Sequence, residues 1–205
     1  MRLFTMPGTC ALAPNIATLW AGLPVEIVNL ERGEHRKPDY LAINPKGQVP
    51  ALELKPGQIL TEAAAILSYI ADSVPGGPLH ETDPLDRARR IEALSYMTSE
   101  VHADFGGHFA PQRTAKSDAA MIEVREVTYV KLNAHFRRLD TRLMESGSGW
   151  YLDRRSIADP YLYILVRWID GTPLTPGDYS HLSAFRVRME ADAHVVAALE
   201  RQDMA

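Results

Sequence analysis

A lone cysteine, Cys10, stands where a short strand hands over to a helix. The local order is Arg2-Leu3-Phe4-Thr5-Met6, then Pro7-Gly8-Thr9-Cys10, then Ala11-Leu12-Ala13-Pro14. A thiol at a helix N-terminus faces unpaired backbone N–H groups and the positive end of the helix dipole. Both favour the thiolate, the form that attacks electrophiles and disulfides. The plain alternative is inert packing, because a free cysteine also behaves as a small buried hydrophobe.

Three further segments could act with it. In Asn44-Pro45-Lys46-Gly47-Gln48-Val49-Pro50-Ala51-Leu52 a proline heads a strand. A cis Val49–Pro50 peptide would turn the Val49 backbone groups outward, to pair with an extended peptide-like ligand as a strand does. The commoner reading is a trans proline opening an edge strand. In Leu60-Thr61-Glu62-Ala63-Ala64 a helix follows a strand. Its exposed N–H groups could receive a carboxylate and Glu62 an ammonium group, which together describe an amino acid; an ordinary helix start with an acid in its first turn reads the same. In Ser99-Glu100-Val101-His102-Ala103-Asp104-Phe105 the histidine can flank an inter-domain cleft, bond Cys10 or an electrophile, and exchange protons near neutrality, or be a partly exposed helix histidine.

The elements that must position these residues fall into two grammars. Over 1–75 the pattern is βαβ–αββα: strand Arg2–Met6, helix Ala13–Ala21 ended by Gly22, strand Val25–Leu30, a short helix or turn Pro38–Ile43, strands Pro50–Leu54 and Gln58–Leu60 around Lys55-Pro56-Gly57, and a helix capped by Thr61 and running to about Asp72. Residues 76–82 read as a linker, beginning in Val74-Pro75-Gly76-Gly77-Pro78. Over 83–205 strand signals vanish. Asp83 is an N-cap with Pro84 at the first helical position. Ile91, Leu94, Met97 (or Thr98), Val101 and Phe105 recur at helical spacing, as do Leu132, Phe136, Leu139 and Leu143. Ser156 and Asp159 form a capping-box pattern before Tyr161, Leu162, Leu165, Trp168 and Ile169, and helices near Ser180–Asp192 and Ala193–Arg201 end the chain. Gly106-Gly107 would loosen the helix beside His102 and open room there.

The 205 residues are 46% hydrophobic and 23% charged, with net charge −4. No apolar run reaches the roughly 20 residues that span a bilayer, and the N-terminus has no signal-peptide layout. One cysteine cannot form an internal disulfide, so the expected location is cytoplasmic. Basic residues in 87–90 and 137–142 are interleaved with or flanked by acids, which argues against nucleic-acid binding. His102 and His108 lack metal-ligand spacing, so no metal site is expected.

Taken together, Pro7–Pro14, Ala42–Pro50, Leu60–Glu62, Ser99–His102 and Ser156–Asp159 resemble the glutathione S-transferases, most closely the bacterial beta class, over nearly the whole chain. The resemblance implies a thioredoxin-like N-terminal domain, an all-helical C-terminal domain, a homodimer, and glutathione as co-substrate with a small electrophile as second partner. It implies that Cys10 lies beside the glutathione sulfur, that Val49 precedes a cis Pro50 and pairs with the cysteinyl unit, that Gln48, Glu62 and the Ala63 N–H hold the γ-glutamyl end, and that His102 lies beside the thiol. One of His35, Arg36 or Lys37 would meet the glycine carboxylate. Ala63, Ser95 and Ala103 depart from residues that many relatives carry. Phe4 has no hydroxyl for a tyrosine-type mechanism, whereas Thr9 could act as a serine-type donor. Alternatives are a monothiol disulfide or peroxide reductase, with no resolving cysteine in the chain, and a non-catalytic regulatory protein of this fold.

Overall fold

Alternation along the first strand splits the α/β layer into two cores. In β1 (Arg2–Thr5), Leu3 points into the main core, while Phe4 packs on the opposite face with Tyr40 and Ala51. The structure is a computed structural model that describes residues 1–204. β1 pairs in parallel with β2 (Glu26–Asn29) and antiparallel with β3 (Ala51–Lys55), and β3 pairs antiparallel with β4 (Gln58–Thr61). The sheet order is β2-β1-β3-β4. With α1 (Leu12–Trp20), α2 (Pro38–Ile43) and α3 (Ala63–Asp72), this is the expected βαβ–αββα order.

Two boundaries differ from expectation in ways that bear on function. The first helix starts at Leu12 rather than Ala13, with Cys10 in the turn before it. Thr61 is the last residue of β4, and Glu62 is the N-cap of α3. Glu62 takes φ of 70°, a left-handed value that non-glycine residues hold only where surrounding contacts enforce it.

The remainder is helical: α4 (Pro84–Tyr96), α5 (His102–Phe109), α6 (Asp118–Ser146), α7 (Ala158–Trp168), α8 (Ser180–Glu190) and α9 (Ala193–Glu200). Asp83 caps α4 by accepting from the Leu85 and Asp86 N–H groups, as expected. Asp159 accepts from Ser156 N–H at 2.7 Å, Ser156 Oγ at 3.1 Å and Tyr151 N–H at 2.9 Å. Its complete burial pushes its pKa up to about 6 against these three bonds.

Between α4 and α5 lies a π-helical turn, Met97–Val101. Such a turn carries one residue more than an α-turn, and so re-aims everything after it. Met97, Val101 and Phe105 stay buried, leaving His102 and Ala103 on the cleft side. Ile91 does not join that buried row: it is 53% exposed. Gly106 and Gly107 do not loosen α5, which is continuous through both. A Cβ on Gly107 would overlap Thr128 Oγ1, so the glycine serves the close approach of α5 to α6.

The halves are joined through α1, which packs on α3, α7 and α9. Asn15 Nδ2 donates to the Ala198 carbonyl at 3.1 Å, and Trp20 Nε1 to Asp192 at 3.2 Å. Arg90 of α4, fully buried, pairs with Asp72 at the end of α3.

Candidate active site

The loop carrying Cys10 is fixed from both sides. Thr9 Oγ1 donates to the Met6 carbonyl at 2.7 Å and accepts from Ala11 N–H at 3.3 Å. Trp168 Nε1, at the end of α7, donates to the Gly8 carbonyl at 2.9 Å. Cys10 Sγ lies 3.9 Å from the Val49 carbonyl, a weak thiol hydrogen bond. The Val49–Pro50 peptide is cis, which overturns the commoner trans reading and agrees with the resemblance. The preceding carbonyl, of Gln48, is pinned by Tyr40 Oη and Asn44 Nδ2, both at 2.7 Å.

Burial governs the thiol. Cys10 is 8% exposed, and desolvation pushes its pKa up to about 12, against the favourable backbone contact and with a small push from Glu62. The expectation of a thiolate therefore fails: the helix dipole stabilises an anion by about 1 kcal/mol, too little to offset burial of a charge. Thr9 meets a similar limit, because its hydroxyl proton is already engaged by Met6.

On the opposite wall, His102 Nδ1 is hydrogen-bonded to Tyr161 Oη at 2.5 Å, and its ring packs edge-on against Trp168 with centroids 4.8 Å apart. Burial lowers the His102 pKa, so the imidazole is neutral at pH 7. The Tyr161 hydroxyl is near enough to Cys10 and Glu62 for both to raise its pKa, after the larger effect of burial.

One cavity of about 740 Å³ gathers these groups. Thr9, Cys10, His35, Gln48, Val49, Pro50, Glu62, Ala63 and His102 all line it. Arg32 and Arg36 line it beside His35, whose Nδ1 is buried without a partner. Lys37 turns away and pairs with Glu34 at 3.3 Å. Sequence reasoning missed Lys46, whose Nζ reaches Glu62 Oε1 at 2.6 Å and Thr61 Oγ1 at 3.1 Å. It also missed Tyr161, Trp168 as a wall residue, and Arg113. Lys46 was legible in principle, as a cation within the strand-entry segment; the others arrive from distant helices and carry no local signal.

A mixed four-stranded sheet with a thiol before its first helix and a cis-proline segment beside that thiol, backed by helices, defines a thioredoxin-like domain joined to a helical one. Comparison with known proteins gives the family. A model of the glutathione S-transferase N-terminal domain matches residues 1–72. Glutathione S-transferase GST-4.5 of Xanthomonas campestris pv. campestris is 34% identical over the full length of both chains. Among solved structures, the beta-class glutathione S-transferase of Sphingomonas chungbukensis superposes with a TM-score of 0.88 at 34% identity, covering 100% of both chains. A sphingomonad glutathione S-transferase complexed with glutathione does so with a TM-score of 0.87 at 36% identity, again covering 100% of both. The chain belongs to the glutathione S-transferase family.

Proposed function

We propose that this chain is a glutathione transferase that moves the glutathione sulfur onto an electrophile. One observation carries the reading: the Cys10 sulfur and the Val49 carbonyl meet, 3.9 Å apart, in the same cavity that Glu62, the start of α3 and His102 line. Glutathione lies along Gln48–Pro50. Its γ-glutamyl carboxylate meets the Ala63 N–H at the start of α3, and its ammonium meets Glu62. Its glycine carboxylate meets His35 and the guanidiniums of Arg32 and Arg36.

We assign the donor role in the His102–Tyr161 bond to the Tyr161 hydroxyl, which puts the imidazole proton on Nε2. In this reading that N–H stabilises the glutathione thiolate as it forms in the cavity that His102 lines. Cys10, a buried neutral thiol, acts as a hydrogen-bond donor beside that sulfur. Its burial removes support from the disulfide-reductase reading, which needs an accessible thiolate.

The same reading carries two domains, 1–75 and 83–205, joined by the linker 76–82, with removal of electrophiles in the cytoplasm as the physiological role. It also carries a homodimer. Exposed Leu85 and Ile91 on α4, with Val127 and Val130 on α6, supply apolar surface for a partner copy, which light scattering on the purified protein would register as twice the chain mass.

The direct test is calorimetric titration with glutathione, followed by turnover of 1-chloro-2,4-dinitrobenzene. Micromolar to millimolar binding with thioether formation is expected. Binding without turnover across several electrophile classes would favour a regulatory role, and absence of binding would remove the reading.

A further inference from the structure

The cavity holds more positive charge than glutathione uses. Arg32, Arg36, Lys46 and Arg113 line it, whereas Glu62 is the only acid that does so among the described residues. Arg32, His35 and Arg36 share one short segment between β2 and α2, opposite the glycine end of the ligand placed above. Lys46 is held by Glu62. Arg113 is different. It comes from the helical half, in a single 3-10 turn, Pro111–Arg113, just after α5. Its guanidinium makes no ion pair and no side-chain hydrogen bond among the described residues. The acid on the neighbouring helix, Asp104, is taken by Lys131 at 3.1 Å and His135 at 3.0 Å.

Beside Arg113 the wall is aromatic. Phe109 is 53% exposed, stacks on Phe105 and meets the Trp168 ring edge-on at 5.1 Å. A large exposed aromatic and an unpaired guanidinium on one cavity wall match a flat ring with a negative substituent.

Resting on the transferase reading above, we propose that this chain selects a planar aromatic electrophile carrying a carboxylate or sulfonate, with the ring against Phe109 and Trp168 and the anionic group on Arg113. For an aryl chloride the chemistry balances simply. The glutathione sulfur forms a bond to the ring carbon, the carbon–chlorine bond breaks, chloride leaves, and the thiol proton goes to solvent.

A closely matched pair, differing in charge and one methyl group, tests the anion: 4-chloro-3,5-dinitrobenzoate and its methyl ester. The ratio of kcat/KM, acid over ester, is the readout, corrected for the intrinsic reactivity of each with free glutathione. Arg113→Gln is expected to lower that ratio about fivefold, and Arg113→Lys to retain most of it. Calorimetric affinities of the two glutathione conjugates should change in parallel, which keeps the test decisive where turnover is slow. A ratio and a conjugate preference that Arg113→Gln leaves unaltered, with glutathione still bound and the ester still consumed, would overturn the anion assignment and leave the transferase reading standing. Loss of glutathione binding in the unmodified protein would instead defeat both.

Discussion

His102 and Tyr161 form one unit: the imidazole Nδ1 and the phenol oxygen are 2.5 Å apart, on different helices of the cavity that Cys10 also lines. A phenol that donates to Nδ1 fixes the tautomer and orientation of the ring, and so decides what Nε2 offers the cleft. Tyr161→Phe keeps the ring packing and removes that control. On the proposed mechanism the Nε2 N–H is then held less well, the glutathione thiolate loses stabilisation, and the bound thiol pKa rises. kcat is expected to fall about threefold to tenfold with little change in KM for glutathione, and the rising limb of the pH–kcat profile to move to higher pH. A KM effect with an unmoved profile would assign Tyr161 to packing alone. Because burial lowers the His102 pKa, protonation of the imidazole itself belongs below pH 6.5, and its stability cost appears only as pH falls through that range.

The Cys10 thiol has the opposite shift. Its pKa of about 12 in the folded protein lies above the ordinary 9.0, so folding favours the protonated form. The associated stability is present below pH 9 and is lost as pH rises from there toward 12. Alkylation by iodoacetamide should be slow at pH 7 and climb about tenfold per pH unit through pH 9 without levelling. A plateau below pH 8 would mean that the helix N-terminus outweighs burial after all.

Glu62 joins function to backbone strain. Its φ of 70° is costly for a residue with a Cβ, by about 1–3 kcal/mol, and the Lys46 ion pair helps hold it there. Glu62→Gly should leave Tm unchanged or slightly raised, since relief of strain offsets the added freedom of the unfolded chain. KM for glutathione should rise about tenfold, because the ammonium loses a charge-assisted partner. A parallel fall in both stability and affinity would show that the ion pair, not the ligand, is what the side chain serves.

What was legible in the sequence was local. Asp83 before Pro84, Ser156 three before Asp159, and the strand–turn–helix around Cys10 each act within a few residues: Asp83 caps α4 as the pattern requires, and Asp159 accepts from the Ser156 N–H although the N-cap of α7 is Ile157. The cavity was legible through the resemblance, since all nine expected residues line it. Tyr161, Trp168 and Arg113 were not, because tertiary packing alone brings them to the cleft. The π-turn at Met97–Val101 has no residue signature, yet it aims His102. The Cys10 titration was misjudged because a helix start is visible in sequence and the depth of burial is not.

Arg90 is a buried cation that ties α4 to Asp72 at 3.2 Å and to Glu81 at 3.5 Å, the latter an ion pair without hydrogen-bond geometry. Arg154 also reaches Glu81, at 3.4 Å. Burial raises the Glu81 pKa despite both guanidiniums. Arg90→Met leaves the buried Glu81 carboxylate with the exposed Arg154 as its one cation and Asp72 without its partner, and should cost about 3 kcal/mol, read as a lower urea midpoint. Glu81→Gln removes the buried negative charge and leaves Arg90 with Asp72, so about 1 kcal/mol is expected. Equal losses from the two would mean that shape, not charge, sets the cost.

Gly107 sets how closely α5 approaches α6, and through α5 it places His102 and Phe109 in the cleft. Gly107→Ala introduces a Cβ that overlaps Thr128 Oγ1 and crowds Val124 Cγ1. The helices must part, at a cost of about 1–3 kcal/mol for overpacking. Because the displaced helix carries His102, kcat should fall with Tm, whereas a defect confined to folding would leave the kcat of the surviving native fraction intact. Thr128→Ala removes the clashing hydroxyl and creates only a small void. The double variant Gly107→Ala with Thr128→Ala should then recover most of both losses, giving a favourable coupling of about 1 kcal/mol or more in a double-mutant cycle. Simple additivity in that cycle would place the clash elsewhere and detach the geometry of α5 from the activity of His102.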